Sequence, residues 1–278
     1  MAPRPMKGKK RRRPSRRDPS RQGRPRRDRP STEMLYGTNA VREALRADRR
    51  TYRRLLVDAR ARPDRVLEEI TLLAQKKRCP VDSRHRDQLG RMCRSREHQG
   101  VVLEVSSYPY ATVAEISRAA REAGPAALVL VLDRVQDPQN VGTLLRTAEA
   151  VGVQGVVLPK REAVAITPAV VRASAGASEF LRIAREGNLV PALARLKEAG
   201  LWVLGLEGEP TASLYTAVDW DRPLAIVVGS EGFGLRRLVH ERCDGLVRLP
   251  MRGRINSLNA SVAGSVVLYE IWRARGMD

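Results

Sequence analysis

Five short, almost wholly apolar runs punctuate the second half of the chain, at 127–132, 155–158, 201–206, 224–228 and 246–249. Strands that are apolar on both faces belong in a parallel sheet covered by helices on each side. Helical spacing fills the intervals, near 142–150, 166–173, 189–199, 235–243 and 258–275. This alternation predicts an α/β domain over 125–278. The first part is patterned more weakly. It predicts a helix over 38–45 capped by Thr38 or Asn39, and a strand over 52–57. A helix over 65–76, with Val66, Ile70 and Leu73 on one face, a basic helix near 84–92 and a β-rich stretch over 100–105 follow. Together these predict a small α/β unit over 32–106, joined to the larger domain by a linker over 107–124 that contains Pro109 and a short helix.

Composition changes this picture mainly at the N-terminus. Of the net charge of +20, residues 1–30 contribute +12, with 14 Lys/Arg against Asp18 and Asp28. Six prolines and almost no apolar side chains leave that stretch nothing to bury, so a disordered basic arm over 1–31 is expected. Its Arg11, Arg12, Arg13, Arg16 and Arg17 suit a polyanion such as RNA. A mitochondrial presequence fits less well, because the stretch has no apolar face. No run approaches the roughly 20 apolar residues of a membrane span. Cys79, Cys93 and Cys243 form no CxxC pair, which points away from disulfides and zinc and toward a reducing, cytoplasmic setting. No cluster of residues has metal-ligand spacing.

Ligands of parallel sheets gather beyond the carboxyl ends of the strands, and three segments there carry candidate chemistry. After the first run comes Asp137-Pro138-Gln139-Asn140-Val141-Gly142, with Arg146 further along; here Asn140 is expected at a helix entrance and Arg146 at least a turn inside. After the fourth comes Gly229-Ser230-Glu231-Gly232-Phe233-Gly234, a loop whose amides can face a ligand. It has neither the spacing of a dinucleotide fingerprint nor the Gly-Lys-Ser/Thr of a P-loop. After the fifth come Leu249-Pro250-Met251 and Asn256-Ser257-Leu258-Asn259-Ala260-Ser261, where Asn256 or Ser257 could cap the last helix.

In this order, the three segments resemble the SpoU/TrmH family of RNA ribose 2′-O-methyltransferases over residues 126–275. The stretches Leu35-Tyr36-Gly37-Thr38-Asn39-Ala40-Val41 and His98-Gln99-Gly100-Val101 are similar to the ribosomal-protein-like domain of its bacterial 23S rRNA guanosine branch. The resemblance implies a SPOUT-type domain with a deep trefoil knot, a homodimer, and S-adenosylmethionine as methyl donor. It further implies that Gly229, Leu249 and Leu258 hold the cofactor, with Leu204, Gly205 and Met251 beside them. Asn140, Arg146, Glu231, Ser257 and Asn259 match its polar catalytic set, and Tyr36 and His98 fall in its RNA-binding unit. The expected partner is large-subunit ribosomal RNA, and no membrane.

Methyl transfer from a sulfonium mainly requires alignment and loss of one proton. None of His85, His98 and His240 lies in the three motifs, which disfavours an imidazole base. A guanidinium is essentially always protonated, so Arg146 suits a substrate phosphate and alignment of the 2′-hydroxyl. Asn140 and Glu231 are expected to fix Arg146, and Ser257 and Asn259 to position ribose or cofactor. A tRNA ribose methyltransferase and an antibiotic-resistance rRNA methylase share these motifs. A non-catalytic ribosome assembly factor would have no use for all five polar groups, and an oxidoreductase would need an early glycine fingerprint that the chain lacks.

Overall fold

The computed structural model describes residues 32–62 and 64–276. The expectations for Arg11, Arg12, Arg13, Arg16 and Arg17 lie outside the described residues.

The first unit contains β1 (Thr32–Tyr36), α1 (Thr38–Ala47), β2 (Tyr52–Asp58), α2 (Arg65–Lys76), β3 (Val81–Arg84), α3 (Arg86–Cys93) and β4 (Val101–Ser106). Its sheet runs β1-β4-β2-β3, with β4 antiparallel to both neighbours and β2 parallel to β3. Asp64 caps α2 by accepting the Leu67 N–H at 2.7 Å. α1 already begins at Thr38, so its cap position falls on Gly37 (φ 89°) and neither Thr38 nor Asn39 acts as the cap. Thr38 instead donates its N–H and hydroxyl to Gln99 Oε1, at 3.0 and 3.1 Å.

The second unit opens with α4 (Val113–Ala123), within the stretch expected to be a linker, whose Val113, Ile116 and Ala120 are buried. The chain continues through β5 (Leu128–Leu132), α5 (Pro138–Ala150), β6 (Gly155–Pro159), α6 (Pro168–Ala173), β7 (Ile183–Glu186) and α7 (Leu189–Glu198). Then come β8 (Trp202–Leu206), β9 (Ser213–Leu214), β10 (Leu224–Val228), α8 (Arg237–His240), β11 (Gly245–Arg248) and α9 (Ala260–Ala274). All seven strands pair in parallel, in the order β7-β6-β5-β10-β8-β11-β9. β7 and β9 have no counterpart among the apolar runs. β7 carries only two buried residues before turning polar, and β9 is two exposed residues long.

Every residue of β5 and β10 is buried, because each face of the sheet has its own helical cover. Leu128, Leu130, Leu132, Ile226 and Val228 pack with α5, α6 and α9; Val129, Val131, Ala225 and Val227 pack with α4 and α7. This two-residue alternation is the pleat of a strand buried on both sides.

The two sheets share one hydrophobic cluster, which runs from Leu35 and Val41 to Val170 and Val171. At their junction Arg50 is buried between Glu179 and Glu33, each 2.7 Å from it, and its Nε donates to Glu179 at 2.8 Å. Arg49 and the Tyr108 hydroxyl donate to the carbonyls of Glu179, Leu181 and Ser178 nearby.

Two residues expected to meet RNA are interior. Tyr36 packs with Leu56, Leu89 and Val102, and the His98 ring, 2% exposed, accepts the Gly100 N–H at Nδ1. Tyr36 sits where the sheet needs bulk and His98 where a turn needs an acceptor, with one side of the His98 ring lining a cavity of the same unit.

Candidate active site

Four neighbouring strands end level with one another. Val228 of β10 pairs with Leu132 of β5 and Leu206 of β8, and Leu206 pairs with Val247 of β11. The loops that follow therefore start side by side. Asp133, fully buried, accepts the Arg236 N–H at 2.9 Å and its Nε at 2.7 Å, tying the loop beyond β10 to the end of β5. Glu207 accepts the Leu235 N–H at 2.6 Å and anchors the same loop from β8.

Between β10 and α8 the chain doubles back on itself, with Ser230 and Gly234 exchanging backbone hydrogen bonds of 3.0 and 3.1 Å. A Cβ at Gly229 would lie 2.4 Å from the Gly234 carbonyl carbon, so only glycine fits there. This loop and the segment 256–260 enclose a cavity of about 440 Å³. Leu206, Leu249 and Leu258 supply apolar lining; Glu207, Ser230, Glu231, Ser257 and Asn259 supply polar groups.

At its rim three motif side chains meet. Asn140 Nδ2 donates to Glu231 Oε1 at 2.9 Å, Asn259 Nδ2 donates to Asn140 Oδ1 at 3.0 Å, and Asn259 also donates to Glu231. The Ser261 hydroxyl lies 2.6 Å from Asn259 Oδ1 and 3.2 Å from Asn140 Oδ1. Local structure explains the meeting. Asp137 caps α5, which makes Asn140 the third residue of the helix rather than its entrance. Asn259, not Asn256 or Ser257, caps α9, accepting the N–H groups of Ser261 and Val262.

Gly229, Leu249, Met251, Ser257 and Leu258 thus line one cavity together with Glu231 and Asn259. Leu204 and Gly205 do not. β8 runs on to Leu206, so Leu204 is core and Gly205 packs against Leu235 and Cys243, while Leu206, Glu207 and Gly208 reach the cavity. Arg146 also stands apart: it is exposed on α5 and makes no hydrogen bond or ion pair among the described residues. Asn140 and Glu231 bind each other and Asn259 instead of fixing it. Ser261, inconspicuous in a run of small residues, belongs to the network; its place two residues past the asparagine that opens the last helix is the signal the sequence offers.

A second feature lies on the first unit. Arg86, Arg91, Arg94 and Arg96 border a cavity of about 660 Å³ beside His98. Burial pushes the His98 imidazole below its ordinary value, and the charge of Arg86 pushes the same way. The adjoining loop is held to α6 by Arg172, whose guanidinium pairs with Glu97 at 3.0 Å.

Two family models cover most of this architecture. Residues 127–269 match the SpoU rRNA Methylase family, and residues 34–111 match RNA 2′-O ribose methyltransferase substrate binding. The chain belongs to the SpoU/TrmH family. YacO of Bacillus subtilis, named as a TrmH family tRNA/rRNA methyltransferase, is 40% identical over 243 residues, 87% of this chain and 96% of its own. Among solved structures, the AdoMet-bound rRNA methyltransferase of Sinorhizobium meliloti aligns with a TM-score of 0.71 and 25% identity over 87% of both chains. The SpoU methyltransferase AviRb of Streptomyces viridochromogenes shares the fold, with a TM-score of 0.74 and 24% identity over 92% of this chain and 96% of its own. This SpoU/TrmH methyltransferase thus has the methyl-transfer domain and the substrate-binding domain in one chain.

Proposed function

We propose that this SpoU/TrmH protein methylates the ribose 2′-hydroxyl of a guanosine in 23S ribosomal RNA, with S-adenosylmethionine as donor. The convergence of Asn140, Glu231 and Asn259 beside the Gly229 loop carries this reading. The cavity suits the donor: leucines for an adenine ring, backbone groups of the glycine loop for its edge, and a carboxylate near a cationic sulfur. When bound, the donor supplies an activated methyl group. In the transfer an O–CH3 bond forms at the 2′-oxygen as the S–CH3 bond breaks, and the hydroxyl proton leaves to a neighbouring phosphate or to water. Asn140 and Asn259 hold Glu231 in place, and Ser257 and Asn259 orient the groups that react. The order of β5, β10 and β8, with β10 inserted between two earlier strands, is compatible with the knot that the family implies.

Arg146 enters as a contribution to a partner subunit. Val262, Val266 and Tyr269 lie exposed along one face of α9, which packs on α5, where Arg146 is exposed. A homodimer through this face would cover the apolar strip and carry Arg146 to the other copy's cavity, to bind phosphate and align the hydroxyl. RNA would be gathered by the arginines around the 660 Å³ cavity. The first unit's match to an RNA substrate-binding family supports an RNA substrate, and the basic arm favours a large, highly charged one such as ribosomal RNA.

The test is methyl transfer from labelled S-adenosylmethionine to unmodified 23S rRNA and to tRNA transcripts, followed by mapping of alkali-resistant linkages. Label at one ribose of 23S rRNA is expected. Label on tRNA alone would redirect the substrate, and label on a base nitrogen would overturn the reaction.

A further inference from the structure

A smaller cavity, of about 330 Å³, adjoins the donor cavity and shares Ser230 and Glu231 with it. Its other walls come from the segment after β5, with Arg134, Gln136 and Asn140, and from the tip of the glycine loop, with Phe233. The Asn140–Glu231 hydrogen bond lies in the partition between the two cavities.

Phe233 is 83% exposed, the most exposed of the large hydrophobic side chains among the described residues. Its position is built. The Ser230–Gly234 backbone bonds close the loop beneath it, and Gly232 (φ 78°) and Gly234 (φ 60°) take left-handed conformations on either side. An aromatic face held out at the edge of a cavity is free to stack on a planar ligand.

Across the cavity the chemistry is polar. Arg134 (φ 64°) and Glu162 (φ 57°) both hold left-handed backbone, uncommon away from glycine, and pair at 3.3 Å. Such conformations concentrate at functional sites. The Gln136 carboxamide is exposed, with one long bond of 3.4 Å to the Glu162 carbonyl that a ligand could replace.

We infer that this 330 Å³ cavity is the slot for the nucleobase of the target nucleotide, with the ring of Phe233 stacked on its face and Gln136 and Arg134 at its edge. The inference rests on the methyl-transfer reading above. In-line transfer places the acceptor oxygen beyond the methyl group, away from sulfur, so the target ribose lies at the shared wall. Its base then extends into the neighbouring cavity. A single aromatic face opposed by amide and guanidinium groups is how proteins hold a splayed-out base. An apolar dimer seam would have no use for the polar wall.

The experiment measures transfer to whichever transcript, 23S rRNA or tRNA, accepts label with the wild-type protein, using Phe233→Ala, Phe233→Leu and Phe233→Tyr. Binding of S-adenosylhomocysteine and sedimentation are measured on the same variants. Phe233→Ala is expected to lower kcat/KM about tenfold, mainly through KM for RNA, as loss of one base stack would. Phe233→Tyr should restore it and Phe233→Leu should not, with cofactor-product affinity and oligomeric state unchanged. Activity of Phe233→Ala within about twofold of wild type, less than one base stack is worth, would overturn the slot. So would full rescue by leucine, parallel loss of S-adenosylhomocysteine binding, or dissociation of the protein into smaller species. If the wild type itself methylates no ribose, the functional reading fails and takes the slot with it. That outcome is distinguishable because it appears before any variant is made.

Discussion

Asn259 has two tasks for one carboxamide: its oxygen caps α9 while its nitrogen holds Asn140 and Glu231. Serine is also a good cap but has no second arm. Asn259→Ser should therefore leave the urea unfolding midpoint nearly unchanged while methyl transfer falls at least about tenfold, the scale of a missing positioning group. Gly229 is a case of shape alone. In Gly229→Ala the new methyl meets Gly234 backbone, which cannot move aside as a side-chain tip could. Binding of S-adenosylhomocysteine, followed by calorimetry, should be lost. At His98 the issue is charge. Burial and Arg86 hold its pKa below the ordinary 6.5, so the unfolded chain takes up a proton that the folded chain resists. The stability contributed by neutral His98 is full above about pH 6.5 and drains away as pH falls below it. Denaturant midpoints measured above and below that value, at about pH 7.5 and about pH 5.5, should therefore differ less in His98→Gln than in wild type.

At the scale of elements, the junction of the two sheets depends on charge inside the protein. The side chains of Arg50 and Glu179 have no exposed surface, and Glu33 adds a second carboxylate. Removing one partner of such a pair strands the other, at a cost of about 3–5 kcal/mol. Arg50→Ala and Glu179→Ala should each lose stability on that scale in equilibrium unfolding. The double variant should lose less than their sum, because the second substitution removes the stranded charge. Nothing in the sequence announces this contact: Arg50 is one of many arginines, and Glu179 lies 129 residues away in an ordinary turn. The helices are a different matter. The period of 65–76 predicts α2 as it stands, since its apolar stripe packs within its own unit, chiefly against α1. The expected helix over 235–243 shrinks to Arg237–His240, because Leu235 and Arg236 are held by Glu207 and Asp133 in the loop.

For the whole molecule, Arg146 decides whether one copy suffices. If it serves the partner's cavity, mixing Arg146→Ala with Asn259→Ala should restore a measurable part of the activity that each lacks alone. Each mixed dimer then holds one site with both groups intact. No recovery would place Arg146 in its own subunit's site or outside the chemistry. The basic arm belongs to the same scale. Deleting residues 1–30 should weaken RNA binding and flatten its salt dependence, by roughly 0.7 in log–log slope for each single-strand phosphate that the arm no longer neutralises. An unchanged slope would leave the arm without a role in binding.

The five apolar strands of the larger sheet, their alternation with helices and the order of the three polar motifs were legible from the chain, because each depends on neighbours within a few residues; β7 and β9, short and partly or wholly polar, were not. A buried strand must be apolar, and a sharp turn at a strand end must use glycine, proline or asparagine. Which of those turns share a cavity depends on strand order, and strand order is set by packing across the sheet. Only the folded chain therefore showed that Asn140 and Asn259 grip Glu231, that β8 holds Leu204 and Gly205 in the core short of the site, and that Tyr36 and His98 face inward. It also left Arg146 exposed, with no hydrogen bond or ion pair among the described residues, and in the dimer proposed above the surface that meets it belongs to another molecule.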